Sequence, residues 1–246
     1  MNFLCFGDKN KKTILFIHGM STTAMICYEP LLEHLSDYYV ILAEIDGHSE
    51  RTGKLVSLKD NCDEIENYII KNLNGQLFCL SGFSMGATLA VEVLSRGHIR
   101  VEKTHLDGAF LVQIGMLKNL YKTIFTKAIS RIKAGKKIPK FLMDSVMGKD
   151  NNSVVEMLYS GITTDTIKTA CEYVYTYKLP EQIGNYKEPI LYWYGANEYY
   201  PKKGAALLKK YCPNLIEVEM PQMGHGQYLH EHSDEYASKL LQYLQQ

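Results

Sequence analysis

Short apolar runs alternate with stretches in which apolar residues recur every three or four positions. Thr13–Ile17 (TILFI) and Tyr39–Ile45 (YVILAEI) have strand length and end at His18-Gly19 and Asp46-Gly47. Near-continuous apolar runs closed by turn residues read as strands covered on both faces. Gln76–Leu80 (QLFCL), Ala109–Ile114, Ile190–Tyr194 and Leu215–Val218 read the same way. Between them lie helical patterns. Pro30 to Leu35 has apolar residues at helical spacing. Ser57-Leu58-Lys59-Asp60 resembles a capping box with Asp in last place, and Ile65, Ile69, Ile70 and Leu73 follow it. Leu89, Val93 and Leu94 mark another helix, Leu207–Tyr211 ends one, and Glu235–Leu244 closes the chain. Strands alternating with helices predict parallel βαβ units and a doubly wound sheet.

One stretch breaks the alternation. From about Met116 to Leu179 there is no buried-strand pattern. Instead Leu117, Leu120, Tyr121, Ile124, Phe125, Ala128, Ile129 and Ile132 form one apolar helical face. The expected organisation is therefore an α/β core of residues 1–115 and 181–246, with 116–180 inserted as a helical lid over the C-terminal edge of the sheet.

Candidate chemistry begins at Gly82-Phe83-Ser84-Met85-Gly86, a GxSxG motif between an apolar strand and a helix. A nucleophilic serine there needs a sharp strand-to-helix turn, and such a turn needs small neighbours. The new helix also aims its first amides at developing negative charge. The base is expected at His225, within Met223-Gly224-His225-Gly226, after the last strand and before the last helix. His34, His98 and His105 sit in or beside elements remote from that edge, and His230 and His232 lie near the closing helix. The orienting acid is expected at Glu198, just after the Ile190–Tyr194 strand, because function gathers at strand C-termini in open α/β sheets. The alternative is an acid after the Ala109–Ile114 run, but no Asp or Glu occurs between Met116 and Met143. The backbone N–H groups of Met85 and of Met20, in His18-Gly19-Met20, are the candidate oxyanion donors. His18 is expected to hold its own loop rather than act as a second base.

These motifs resemble the α/β-hydrolase superfamily, in its small, lid-bearing branch of serine esterases and lipase-like enzymes. The likeness rests on HGM at 18–20, GFSMG at 82–86, and GANE with MGHG near the end. The order Ser84, Glu198, His225 is that family's. Two departures stand out: the acid position, usually Asp, is Glu198, and the common DxPGHGxS loop is shortened to Ile45-Asp46-Gly47-His48-Ser49. The resemblance implies an α/β-hydrolase fold and hydrolysis of a carboxylic ester with an apolar part, through an acyl-enzyme. The same machinery serves thioesterases and acyltransferases, and a binding protein on this scaffold is the reading from another class.

Composition and charge narrow the rest. Of 246 residues, 46% are hydrophobic, and Lys+Arg equals Asp+Glu at 27 each, so no basic surplus suggests a nucleic-acid partner. No HExxH, Cys/His cluster, GxGxxG or GxxxxGK[ST] occurs, so neither a metal nor a cofactor is expected. The N-terminus lacks signal-peptide character and no apolar run has spanning length. Six scattered cysteines without a CxxC pair suit reduced thiols and a cytoplasmic location. The charge is uneven, however. Lys118, Lys122, Lys127, Arg131, Lys133, Lys136, Lys137 and Lys140 fall in a span without an acid, a solvated helix face or an approach surface for an anionic lipid or acidic substrate. Met116, Met143, Met147 and Met157 could line an adaptable acyl pocket or serve as ordinary packing.

Overall fold

A computed structural model of the chain describes residues 1–139 and 156–246. The strands are β1 (Asn2–Phe6), β2 (Thr13–Ile17), β3 (Tyr39–Glu44), β4 (Gln76–Phe83), β5 (Arg100–Asp107), β6 (Ile190–Gly195) and β7 (Leu215–Met220). They form one sheet in the order β1-β3-β2-β4-β5-β6-β7. Among the described residues only β1 is antiparallel; it pairs with β3 from Asn2 opposite Glu44 to Phe6 opposite Val40. The helices are α1 (Ala24–Leu32), α2 (Leu58–Leu73), α3 (Met85–Arg96), α4 (Lys118–Lys133), α5 (Thr164–Thr176), α6 (Tyr199–Leu208), α7 (Gln227–Glu231) and α8 (Ser233–Gln245). Among the described residues no helix is long and apolar enough to cross a membrane.

The apolar strand runs are continuous because both sheet faces are covered. Successive side chains alternate between faces. Leu15, Ile17, Ile41 and Ala43 pack with Leu58, Ile65 and Ile69 of α2 and with the buried face of α3. Ile14, Phe16, Val40 and Leu42 pack on the other side with Tyr28 and Leu31 of α1 and Tyr236 and Leu240 of α8. The Ser57 hydroxyl accepts the Asp60 N–H at 3.1 Å and starts α2 as the capping pattern predicts.

The fifth strand lies elsewhere than its apolar signal. Ala109–Ile114 is irregular, and β5 is the polar-looking Arg100–Asp107. Its pairing with β4 and β6 keeps it in the middle of the sheet despite Glu102, Lys103, His105 and Asp107. Between β5 and β6 the described residues form helices and no strand; α4 and α5 pack on each other. Lys140, Met143 and Met147 lie outside the described residues.

Candidate active site

β4 ends at Phe83 and α3 begins at Met85, so Ser84 alone makes the turn. It does so at φ 55° and ψ −117°, a conformation rare for a residue with a side chain. Two contacts hold it there. The Ser84 N–H donates to the Asp107 carbonyl at 2.7 Å. Gly86 lets the first turn of α3 press on β2: a Cβ at that position would stand 2.0 Å from the Ile17 carbonyl oxygen. The small residues of the motif are thus required by backbone contact.

The loops after β6 and β7 deliver the other two groups. Glu198 precedes the first residue of α6, and its Oε2 accepts the Gly195 N–H. Its Oε1 lies 2.5 Å from His225 Nδ1. An ionised carboxylate can only accept, so Nδ1 carries the proton. Nε2 is left facing Ser84 Oγ at 2.7 Å, able to accept the hydroxyl proton. The imidazole is clamped by Phe83 (centroids 5.1 Å, 28°) and meets Phe110 edge-on (5.6 Å, 84°). Ser84, Glu198 and His225 are 8%, 6% and 9% exposed, so their mutual bonds are largely shielded from bulk solvent. Burial alone would lower the His225 pKa; the charge and hydrogen bond of Glu198, helped by Asp107, turn the net shift upward.

The His18–Thr23 loop lies against the serine. A Cβ on Gly19 would stand 3.2 Å from Ser84 Cβ, and Met20 and Met85, the residues that follow each, both line the cavity over the serine. His18 stays with the backbone, as expected: Nδ1–H donates to the Gly19 carbonyl at 2.8 Å and Nε2 accepts the Ile45 N–H at 3.0 Å. Burial, then the neighbouring His48, depresses its pKa to about 3. His105 is likewise buried, 2.9 Å from Ser81 Oγ.

One site residue escaped the sequence pattern. Asp107 ends β5 directly beside the nucleophile turn, 7% exposed, and its side chain hydrogen-bonds Tyr236. The next residue, Gly108 (φ +60°), runs against the triad: a Cβ there would stand 2.9 Å from His225 Cε1 and 3.3 Å from Glu198 Oε1. Burial, then the charge of Glu198, pushes the Asp107 carboxyl up to about 7. A strand at Ala109–Ile114 puts the expected acid after Ile114, beyond Asp107. The Asp-Gly pair at 107–108, a turn signal, would have shown where the strand ends.

A cavity of about 390 Å³ opens over Ser84 and His225. Phe110, Leu117, Tyr121, Phe125, Tyr175 and Tyr200 form one wall, and Met20, Met157 and Leu158 also line it. Tyr121 packs edge-on against Tyr175 (centroids 5.9 Å, 60°) and Tyr200 (6.1 Å, 84°). Met157 belongs to this lining; Met116 is 98% exposed outside it. Of the basic residues, Lys118 and Lys122 pair with Glu172 at 2.7 and 3.1 Å. Among the described residues one group has metal-ligand spacing, Glu33, His34 and Asp234, and none of the three lines the cavity.

A family model described as alpha/beta hydrolase fold matches residues 12–231. No curated protein sequence matches the chain. Among solved structures, an alpha/beta hydrolase family protein from Desulfitobacterium hafniense is similar at a TM-score of 0.86 and 22% identity, covering 99% of this chain and 100% of that one. An esterase from Exiguobacterium antarcticum is similar at 0.76 and 16%, covering 99% and 95%. So is the 2-hydroxy-6-oxo-6-phenylhexa-2,4-dienoate hydrolase of Rhodococcus sp. strain RHA1, at 0.75 and 15%, covering 99% and 94%. At these identities the likeness shows the fold.

Proposed function

The chain belongs to the alpha/beta hydrolase fold family, and we propose that within it this protein is a serine hydrolase that cleaves a carboxylic ester through an acyl-enzyme. The observation that carries the reading is the file of Ser84 Oγ, His225 and Glu198, with contacts of 2.7 and 2.5 Å, under a lined cavity. Ser84 Oγ attacks the carbonyl carbon while His225 Nε2 takes its proton. The carbonyl oxygen becomes an oxyanion held by the Met20 and Met85 N–H groups. His225 then protonates the leaving alcohol, and water, activated by the same imidazole, releases the acid. Glu198 keeps Nδ1 protonated and stabilises the imidazolium. The aromatic wall favours an uncharged, apolar group on the ester, since it offers no paired charge to offset the desolvation of an ion. The segment between β5 and β6 acts as the lid supplying much of that wall.

A fluorophosphonate probe tests this directly. The wild type should be labelled at Ser84 and turn over p-nitrophenyl esters. Ser84→Ala should be folded, unlabelled and slower by roughly 10⁶-fold in kcat. Substantial ester turnover in a clean Ser84→Ala sample, or a wild type inert to the probe, refutes the reading.

A further inference from the structure

The oxyanion loop is tied to the core at its two ends and to the lid at its apex. At one end the His18 ring binds the Gly19 carbonyl and the Ile45 N–H. At the other, the Thr23 hydroxyl caps α1 by accepting the Ile26 N–H at 3.1 Å. Between them Ser21 sits at φ +67°, in the left-handed region, fully buried, and its Oγ has no hydrogen-bond partner among the described residues. A serine does not hold that conformation for its own sake; surrounding contacts must impose it. The contacts come from the chain between β5 and β6. The Tyr159 N–H donates to the Ser21 carbonyl at 2.7 Å, and Cys171 Sγ of α5 lies 3.6 Å from Met20 Sδ. Burial raises the Cys171 thiol to about 12, so it is a packing sulfur rather than a nucleophile.

We propose that this segment positions the oxyanion hole: the Tyr159 backbone N–H, with Cys171 beside Met20, holds the Met20–Ser21 peptide in the strained turn that aims the Met20 N–H at the reacting carbonyl. The proposal rests on Met20 as an oxyanion donor. Tyr159 and Cys171 touch no reacting atom; they are positioning residues. The lid then does more than cover the cavity. Any displacement of Tyr159 releases the strain at Ser21 and unaims a donor needed only in the transition state.

The test compares Tyr159→Pro, which removes the N–H, with Tyr159→Ala, which keeps it and so isolates the cost of losing the ring. The readouts are kcat, KM and inhibition by an aryl trifluoromethyl ketone. With that ketone Ser84 Oγ adds to the carbonyl carbon, its proton passes to His225 Nε2, and the carbonyl oxygen takes the negative charge. Losing an oxyanion donor costs on the order of 10²–10³ in kcat, so misaiming one should cost about tenfold or more. Tyr159→Pro should therefore fall about tenfold below Tyr159→Ala in kcat, weaken the ketone by the same factor, and leave KM within about threefold. Equal kcat and ketone affinity in the two variants overturn the proposal. If Tyr159→Pro does not fold, Cys171→Ala decides: kcat and ketone affinity falling together support it, and wild-type values for both overturn it. Amide hydrogen exchange at residues 19–22 reads the tether without any chemistry. It should be faster in Tyr159→Pro than in Tyr159→Ala, and equal rates overturn the tether. A wild type that does not react with a fluorophosphonate at Ser84 overturns the proposed function instead, whatever the exchange shows.

Discussion

Replacing Asp107 by Asn should make the stability of this protein less dependent on pH. Asp107 is 7% exposed at the end of β5 and held up to about 7 from an ordinary 3.8, first by burial and then by the charge of Glu198. At about 1.4 kcal/mol per pH unit, the folded state resists its ionisation by on the order of 4 kcal/mol. The sign follows from proton counting. Below about pH 4 the carboxyl is neutral in both states and nothing is lost. Between about pH 4 and 7 the unfolded chain has released the proton and the folded chain retains it, so stability falls as pH rises. Above about pH 7 both states are ionised and the loss is constant. Asn reproduces the shape of the neutral carboxyl, still offers Tyr236 an acceptor, and never ionises. Glu198 and His225 are the charged groups that face the Asp107 carboxyl. Urea denaturation of both proteins at intervals from pH 4.5 to 8.5 measures it. The advantage of Asp107→Asn should grow through the interval and level off near pH 8, at a few kcal/mol. A difference constant with pH would show that Asp107 is ionised throughout, with a compensating partner.

Three further outcomes follow from the geometry. His225→Ala should cost about 10⁶-fold in kcat and Glu198→Ala about 10⁴-fold, because the imidazole moves the proton and the carboxylate orients it. A near wild-type Glu198→Ala that becomes inactive when Asp107 is also removed would transfer the orienting role to Asp107. Gly108→Ala sets a methyl at 2.9 Å from the His225 ring on a backbone of φ +60°, so kcat should fall by about tenfold or more for roughly 1–3 kcal/mol of strain, with a matching loss in thermal midpoint. Unaltered kcat there would mean that the imidazole has slack. Changing Lys133, Lys136 and Lys137 to Gln should lower kcat/KM for anionic or micellar esters, less so as salt rises, and leave small neutral esters alone, since the field of exposed charges reaches only about 8–10 Å at physiological salt. Equal, salt-insensitive losses on both substrates would assign these lysines to lid packing.

The sequence determined the alternation of strands and helices, because each buried strand carries its own apolar run and each helix its own period. It also marked the residues the site brings together. GxSxG needs small neighbours for local reasons, and His225 and Glu198 follow strands whose ends must converge in a parallel sheet. Other features are invisible locally. β5 looks polar because Arg100 and Glu102 are exposed, while His105 and Asp107 are buried by Trp193 and Tyr236 from β6 and α8. Only sheet pairing could outweigh its composition, so only the folded sheet put Asp107 beneath the triad. β1 is a short edge strand whose place depends on β3. The aromatic wall gathers Phe110, Tyr121, Tyr175 and Tyr200 from four separate segments, and the grip on Ser21 comes from Tyr159, 138 positions away in the chain. Spacing along a chain encodes the contacts a single element makes with itself and the face it buries. Contacts between distant elements are decided when the elements pack, and the tertiary structure alone selects which of them meet.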